Sequence, residues 1–233
     1  MSRGPASRAG GAGESPAVAL AMNALRADIL SGGLAAGERV PEPAVMARYG
    51  VSRTTARVAL QRVARAGLLV GAPTRGLAVS VPSSSELDDL TAVRSEVEPS
   101  LLQRFAARAG AADPVLLATA LDALGSALTR PAPAPLEIEV ARERVRAVLT
   151  AGAGSWALGT VFERERARYA HAYSQRWGYA AERARVAREA RLLRRALPEL
   201  ERRASDAVGR RCRRFLEAEA SGLASASAAG RGP

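Results

Sequence analysis

The sequence predicts a mainly α-helical protein in which a small domain of helices and one β-hairpin precedes an all-helical bundle. Apolar residues recur at helical spacing along most of the 233 residues. One pair of β-prone runs, LLVGAPTRGLAVSVP, occupies residues 68–82. The charge also changes sign at the segment VPSSSE: residues 16–82 hold eight arginines against three acidic residues, whereas residues 83–130 hold four against seven. These observations predict a basic first domain and a second domain of different character.

Composition excludes several classes of protein. The formal net charge is +11, and every basic residue is arginine. A single cysteine, Cys212, excludes an internal disulfide and a multi-cysteine zinc site, and a single histidine, His171, excludes a histidine-rich metal centre. No apolar run approaches the roughly 20 residues of a membrane span, and the first residues lack the apolar segment of a signal peptide. We therefore expect a cytoplasmic protein without a membrane partner.

Four segments are expected along the chain. Residues 1–15 and 221–233 consist largely of Gly, Ala, Ser and Arg, which leave little to bury, and they are predicted to be disordered tails. Residues 16–82 form the first domain. Residues 83–220 form the helical second domain, in which helices are expected near 86–110, 113–129, 136–150, 155–174, 180–196 and 199–219.

The first domain has the element order of a winged helix-turn-helix. A helix beginning near Val18 stops at SGG, two short helical patterns flank Tyr49-Gly50, and the hairpin follows. Ser52 is placed to cap the second short helix, because its hydroxyl can accept a hydrogen bond from the free amides of the first turn. In this architecture the second short helix enters the DNA major groove.

The second short helix is amphipathic in the way that this role requires. Arg53, Arg57 and Gln61 recur at four-residue intervals and face outward, and Thr54 at the helix start is placed to reach a phosphate or a thymine methyl group. A guanidinium pairs with guanine O6 and N7 or clamps a phosphate. Arg75 lies at the tip of the predicted hairpin, which is the wing of this architecture. The alternative is that the arginines of the second short helix form a solvated face. The inward stripe comprises Ala56, Ala59, Leu60 and Val63.

The stretch ILSGGLAAGERVPEPAVMARYGVSRTTARVALQRVARAGLLVGAPTRGLAVSVP resembles the DNA-binding domain of GntR-family transcriptional regulators. The family pattern runs G-x-L-x-P-G-x-R-L-x-E, then L-A, G-V-S-R-T-P-V-R-E-A-L, L, G-L and N-R-G-x-x-V. The sequence departs from it at Ala36, Thr55, Val58 and Thr74. The resemblance implies a sequence-specific regulator that binds double-stranded operator DNA as a homodimer and usually represses transcription. The DNA contacts it implies are Arg39, Arg53, Thr54, Arg57, Arg75 and Gly76.

The second domain is similar at its start to the FadR-type subfamily, whose helical effector domain belongs to the FCD class, and the resemblance implies that residues 83–220 bind an effector and mediate dimerisation. ELDDLTAVRSEVEPSLLQRFAARA carries the subfamily's arginine and glutamate as Arg94 and Glu98. Many members bind zinc or nickel through one aspartate and three histidines, and the metal helps to hold a carboxylate effector. Those four positions are replaced here, so the resemblance implies neither a metal nor another cofactor. The replacements are Arg142, Arg146, Ala190 and Cys212.

Two interpretations of the second domain stay open. In one, Arg94, Arg142 and Arg146 bind a small organic-acid or phosphorylated effector, which favours one relative placement of two DNA-binding modules about the linker VPSSSE. In the other, acids such as Glu98 or Glu189 close the cavity with internal salt bridges, because buried charges need partners. The protein is then an effector-independent regulator or an architectural DNA-binding protein.

Neither an enzyme nor a redox sensor is favoured. Hydrolysis would require His171 as the base, and the sequence has no G-x-S-x-G elbow to supply a nucleophile. His171 is expected to be a surface or packing residue. The arginines beside Cys212 would lower its pKa and allow a redox role, but a buried or half-exposed structural thiol is the preferred interpretation.

Overall fold

The computed structural model describes residues 15–72, 76–83 and 85–228. Within them, helices predominate and the two strands pair as one antiparallel hairpin, which confirms the predicted fold class. No helix in these ranges is long and apolar enough to cross a membrane. In chain order, the elements are α1 (Pro16–Ser31), α2 (Glu42–Tyr49), α3 (Arg53–Arg65), β1 (Leu69–Gly71), β2 (Leu77–Val79), α4 (Glu86–Arg108), α5 (Asp113–Thr129), α6 (Pro135–Ala153), α7 (Trp156–Trp177), α8 (Tyr179–Glu201) and α9 (Ser205–Ala228).

Helices α1, α2 and α3 and the hairpin enclose the first hydrophobic core. Leu25 and Ile29 of α1 and Val63 of α3 are fully buried in it. The strands pair in antiparallel register, with Leu69 opposite Val79. Two short helices joined by a tight turn and followed by a hairpin constitute the predicted winged helix-turn-helix.

Helices α4 to α9 form a bundle around the second core. Helix α4 is central, because it packs against α9, α7 and α6. Its Leu101 and Phe105 are buried together with Leu117 of α5 and Ile138 of α6. The helix runs without interruption through Pro99.

The first domain is packed against the bundle rather than joined to it by the linker alone. Helix α1 lies against α6 and α7, and Ala167 of α7 belongs to the first core. His171 is buried, and its Nε2 lies 2.8 Å from the carbonyl oxygen of Ser80, to which it donates a hydrogen bond. His171 is therefore a packing residue, one of the two roles expected for it.

The linker forms one half of a capping box, the motif in which a serine and a glutamate three residues apart cap the start of a helix. The hydroxyl of Ser83 accepts a hydrogen bond from the Glu86 amide at 3.2 Å. The Glu86 carboxylate instead forms an ion pair with Arg168 of α7, because that guanidinium is close enough to compete for it. The linker is thus tied to the bundle at the start of α4.

Two expected helix ends are wrong. Residues 221–228, expected to be part of a disordered tail, continue α9, because Leu223 is buried beside Leu87, Tyr169 and Tyr173. The expected N-terminal tail lies outside the described residues except for its last position. Helix α8 also continues past Pro198 to Glu201. The break comes at Arg203, which adopts a left-handed conformation and donates hydrogen bonds to the carbonyl oxygens of residues 107 and 109.

Candidate nucleic-acid interface and helical-domain cavity

The turn between α2 and α3 is built for a sharp change of direction. Gly50 adopts φ of +64°, a left-handed conformation that costs glycine little, and it ends α2. The hydroxyl of Ser52 accepts a hydrogen bond from the Thr55 amide at 3.1 Å, as the sequence predicts, and begins α3. The buried stripe of α3 then fixes the rotation of the helix. Its members are Ala56, Ala59, Leu60 and Val63.

The rotation leaves the predicted contact residues in solvent. Arg53, Thr54 and Arg57 are exposed on one face of α3, together with Gln61. The side chain of Arg53 is 82 % exposed and that of Arg57 is 69 % exposed. These guanidiniums are available to a large partner, because little protein surrounds them.

Glu42 at the start of α2 orients both arginines. Its carboxylate accepts a hydrogen bond from Arg53 Nε at 3.1 Å, and Arg57 Nε lies 4.0 Å from the other carboxylate oxygen. Exposed ion pairs of this kind are weak, so a phosphate or a guanine edge can replace the carboxylate at small cost. The candidate list from the sequence did not include Glu42. The GntR pattern could have indicated this residue, because the glutamate that ends the first part of the pattern aligns with Glu42.

The wing flanks the recognition helix. Gly76 turns the hairpin with φ of +103°, and its carbonyl oxygen accepts a hydrogen bond from the Ala72 amide at 3.0 Å. Arg39 is exposed on a short segment that forms a bridge with Ala78 along the edge of β2. Arg75, expected at the wing tip, lies outside the described residues. Arg39 and Gly76 therefore stand at the wing, and the other contact candidates stand on α3.

A second candidate site is a small cavity inside the helical bundle. The four positions that replace the family's metal ligands all line it: Arg142 and Arg146 of α6, Ala190 of α8 and Cys212 of α9. Its volume is about 40 Å³, which holds only a few water molecules. Most of the remaining lining is apolar and includes Leu101, Leu102, Leu124, Val145, Leu149, Phe162, Val186, Leu192 and Leu193.

The arginines expected to bind an effector are already paired. Arg142 contacts the Glu139 carboxylate at 2.6 Å, and Arg146 pairs with Glu143. Arg94 is not among the residues that line the cavity, although the sequence grouped it with the other two. Its guanidinium donates hydrogen bonds to Glu98, Glu189 and Glu219 at 2.8, 2.6 and 2.9 Å.

The pairs of Arg94 and Arg142 belong to one buried network, which includes Glu98 and Glu189, the two acids that the sequence offered as partners. Arg166, which lines the cavity, pairs with Glu98 and Glu189, and Arg185 pairs with Glu182 and Glu189. The three guanidiniums around Glu189, those of Arg94, Arg166 and Arg185, overcome its burial and hold its pKa well below the usual range.

Glu165 differs from the other carboxyl groups of this network. Within the described part of the chain, neither of its oxygens has a hydrogen-bond partner, and the nearest guanidinium nitrogen, that of Arg94, is 3.6 Å away. Burial, together with the charge of Glu98, raises the pKa of Glu165 to about 9.

The ion pairs form two groups. In the larger group the guanidiniums of five arginines face five carboxylates: Arg94, Arg142, Arg166, Arg185 and Arg188 with Glu98, Glu139, Glu182, Glu189 and Glu219. In the smaller group Arg26 and Arg146 share the carboxylate of Glu143.

The donor set of the cavity suits no metal ion. No three His, Cys, Asp or Glu side chains in the described ranges are arranged to hold a metal. Two guanidiniums occupy ligand positions and repel a cation. Burial raises the pKa of the Cys212 thiol well above its usual range, which is opposite to the effect that the sequence suggested for the neighbouring arginines. The protonated thiol is a poor metal ligand and a poor nucleophile.

The comparisons with known proteins agree with the fold. Residues 20–79 match the model of bacterial regulatory proteins of the gntR family. The structure is similar to E. coli McbR/YncC, with a TM-score of 0.66 and 17 % identity over 91 % of this chain and 98 % of that one. It is also similar to a protein of Rhodococcus sp. RHA1 described as a GntR transcriptional regulator, with a TM-score of 0.60 and 19 % identity over 91 % and 99 % of the chains. No curated protein sequence matches.

An exposed arginine face on the second helix of a winged helix-turn-helix is typical of a DNA-binding transcriptional regulator. The gntR-family match covers this helix-turn-helix domain, residues 20–79, and supports that class for the chain.

Proposed function

We propose that the protein is a homodimeric repressor that recognises a specific operator of inverted-repeat form. The observation that carries the proposal is the exposed face of α3, where Arg53 and Arg57 stand beside a wing within a GntR-family domain. A two-fold dimer presents two such faces, and it therefore requires two half-sites about one helical turn apart or less.

Each contact residue has a proposed role. Arg57, one turn into α3, reads a guanine edge in the major groove, and Arg53 and Thr54 at the helix start bind the adjoining phosphate or base. Arg39 and Arg75 bind backbone phosphates or the neighbouring groove beside the wing. Gly76 lets the wing backbone approach the DNA closely, because it has no side chain. Action on chromosomal DNA places the protein in the cytoplasm.

For the helical domain we consider both interpretations from the sequence. Control by an anionic effector on Arg94, Arg142 and Arg146 requires the anion to displace glutamates that already bind these groups. The small cavity must also open. The ion pairs that these arginines already form and the small volume of the cavity favour the second interpretation, in which internal ion pairs fill the domain and DNA binding is independent of an effector.

Selection of binding sites from random double-stranded DNA tests the proposed DNA recognition. We expect one enriched inverted repeat, and footprinting on it should protect both half-sites with two chains bound. An architectural protein would enrich no sequence. Enrichment of single half-sites bound by one chain would contradict the dimer but not the sequence-specific readout.

A melting-temperature screen of small organic acids, acyl compounds and phosphorylated metabolites separates the two roles of the helical domain. An anion that stabilises the wild type, fails to stabilise Arg142→Gln and releases operator DNA would establish effector control at the cavity. If no anion acts, or if an anion stabilises the wild type and Arg142→Gln equally, the arginines of the cavity do not serve an effector.

A further inference from the structure

Arginines without an ion pair collect on the outer side of α8 and α9, on both sides of the turn that joins the two helices. Six of them are exposed, and none forms an ion pair with a residue that the structure describes. Within each helix they recur at spacings of three, four and seven residues, which place side chains on one face. We call this face the α8–α9 surface. Its arginines are Arg191, Arg195 and Arg202 on α8 and at its end, and Arg210, Arg213 and Arg214 on α9.

The arginines of the two helices face the same side. The Arg211 guanidinium of α9 donates a hydrogen bond from Nε to a Glu199 carboxylate oxygen of α8 at 2.7 Å, which holds the helices side by side. The opposite face of each helix is buried in the second core. The hydrogen bond from Arg211, together with the charges of Arg202 and Arg214, lowers the pKa of Glu199. Arginines from both helices therefore stand around one carboxylate.

Acidic side chains do not balance this positive charge. Residues 191–217 hold nine arginines against four acidic residues. Of the four acids, Glu199 is already paired with Arg211, so three exposed carboxylates remain for the six arginines of the α8–α9 surface. These three are Glu201, Asp206 and Glu217. The surface therefore presents a surplus of positive charge to solvent, whereas the guanidiniums of the buried network are paired with carboxylates.

The chemistry of the surface suits the phosphate backbone of double-stranded DNA. A guanidinium binds phosphate oxygens through two parallel hydrogen bonds. The row from Arg191 to Arg202 is about 16 Å long, the length of about five base pairs. The one aromatic side chain of this segment, Phe215, packs against the second core and is not available to stack on unpaired bases. A membrane surface is not favoured, because the face lacks the broad apolar stripe that inserts among lipids.

The α8–α9 surface is remote from the recognition helix. Helix α4 begins at Glu86, beside the first domain, and extends about 33 Å to Arg108. Gln103, near the far end of α4, packs against Gly209 of α9. The first domain instead packs against α6 and α7. A duplex in contact with α3 therefore leaves the α8–α9 surface free for another segment of DNA.

We propose that the α8–α9 surface binds the backbone of a second double-stranded DNA segment, so that one protein molecule bridges two segments. Phosphate contacts carry no sequence information, so any nearby duplex can be the second segment. In this arrangement α3 selects the operator, and the α8–α9 surface holds other DNA against it. Bridging rests on the proposed function, because it requires DNA on α3, whereas duplex binding by the α8–α9 surface does not.

The dependence of duplex affinity on salt tests the surface by itself. The full chain carries Arg53→Ala and Arg57→Ala, which weaken binding by α3, and the probe is a duplex of scrambled sequence. Between about 50 and 200 mM salt, each phosphate contact adds about 0.9 to the slope of log affinity against log salt concentration. Adding Arg210→Gln with Arg214→Gln should therefore lower the slope by about 2.

The matched control for the salt measurement is Arg130→Gln with Arg144→Gln. It removes the same charge from two exposed positions, one after α5 and one on α6, and should leave the slope unchanged. Circular dichroism melting establishes that each variant is folded.

Capture of a second duplex tests the bridging. The selected operator is immobilised, the protein is bound to it, and a labelled duplex of scrambled sequence is added. We expect the wild type to retain the labelled duplex and Arg210→Gln with Arg214→Gln, on the same amount of bound protein, to retain roughly tenfold less. The operator occupies the recognition helices of both proteins, so only another surface can account for the difference.

The outcomes separate this inference from the proposed function. A wild type that selects an operator, with equal slopes and equal capture in the α8–α9 variant and in the control variant, overturns the inference alone. A protein that selects no operator, but loses binding of the scrambled duplex only in the α8–α9 variant, overturns the proposed function and supports the α8–α9 surface.

Discussion

Glu165 shows how burial decides the chemistry of a single residue. Burial raises the pKa of this carboxyl to about 9 from an ordinary value of 4.5. Between these pH values the folded protein holds a proton that the unfolded chain releases. Stability contributed by this group is therefore present below pH 4.5 and is lost as the pH rises towards 9.

We predict that Glu165→Gln makes the free energy of unfolding less dependent on pH. The amide keeps the shape of the protonated carboxyl and does not ionise, so the variant should lose less stability than the wild type between pH 5 and pH 9. Urea midpoints at pH 5, 7 and 9 measure the difference. Parallel pH profiles for the two proteins would show that Glu165 is not buried as a neutral acid.

At the scale of residues, local pairings were predictable and distant ones were not. Ser52 and its helix could be assigned because the cap and the capped amide are three residues apart. Arg94 and Glu98 likewise share one helical turn. The other partners of Arg94, Glu189 and Glu219, lie on α8 and α9. The spacing of residues along the chain does not predict contacts between helices so far apart in sequence.

At the scale of elements, glycines show where helices approach most closely. A Cβ atom on Gly152 of α6 would stand 2.5 Å from the ring of Phe105 in α4, which is too short for two carbon atoms. A Cβ atom on Gly125 of α5 would meet no atom within 4 Å. Two substitutions of the same type therefore have opposite expected effects.

We predict that Gly152→Ala lowers the free energy of unfolding by about 1–3 kcal/mol, because the core must shift to admit the methyl group. Gly125→Ala should raise it by about 0.5–1 kcal/mol through helix propensity. Chemical denaturation of both variants measures these values. Equal effects of the two changes would mean that α6 and α4 are not in close contact at Phe105.

Helix ends were the weakest predictions from the sequence. A proline at position 198 and the small residues after Ser221 both suggest the end of a helix. Helix α8 nevertheless passes Pro198, and Leu223 holds the last turns of α9 against α4 and α7. Tertiary packing supplied the deciding free energy in both places, and composition does not contain that information.

At the scale of the whole molecule, two successive ion pairs connect the DNA-binding domain to the cavity. Arg26 of α1 contacts the Glu143 carboxylate of α6 at 2.8 Å, and the same carboxylate pairs with Arg146, which lines the cavity. Burial opposes ionisation of Glu143, but Arg146 and Arg26 outweigh it and lower the pKa of Glu143 to about 2. The Glu143 carboxylate is therefore ionised at neutral pH.

We predict that Arg26→Ala lowers the free energy of unfolding by about 1–3 kcal/mol, because it removes a buried side chain and its ion pair between the two halves of the molecule. It should also separate the unfolding of the two halves into two transitions in calorimetry. Arg130→Ala is the matched control, since the Arg130–Glu137 pair is exposed and should contribute no more than about 1 kcal/mol. Equal losses in both variants would contradict the role of Arg26 between the domains.

The packing of the two domains against each other could not be predicted from the sequence. The break in charge at VPSSSE suggested a pivot, but α1 packs against α6 and α7, and His171 holds the segment before the linker. A contact of that kind depends on the shapes of two complete domains. The exposed arginine face of α3 was predictable in advance because it depends on one helix and a local motif.

The central claim is that α3 reads DNA sequence, and the ratio of affinities for the selected operator and for a scrambled duplex at one salt concentration tests it most directly. We predict a ratio of about 10³ or more for the wild type. Arg57→Ala should weaken operator binding by about 1–3 kcal/mol per half-site and reduce the ratio. Arg130→Ala, which removes the same charge from the exposed surface after α5, should leave the ratio unchanged. Equal affinity for both duplexes, or equal losses in the two variants, would contradict the claim.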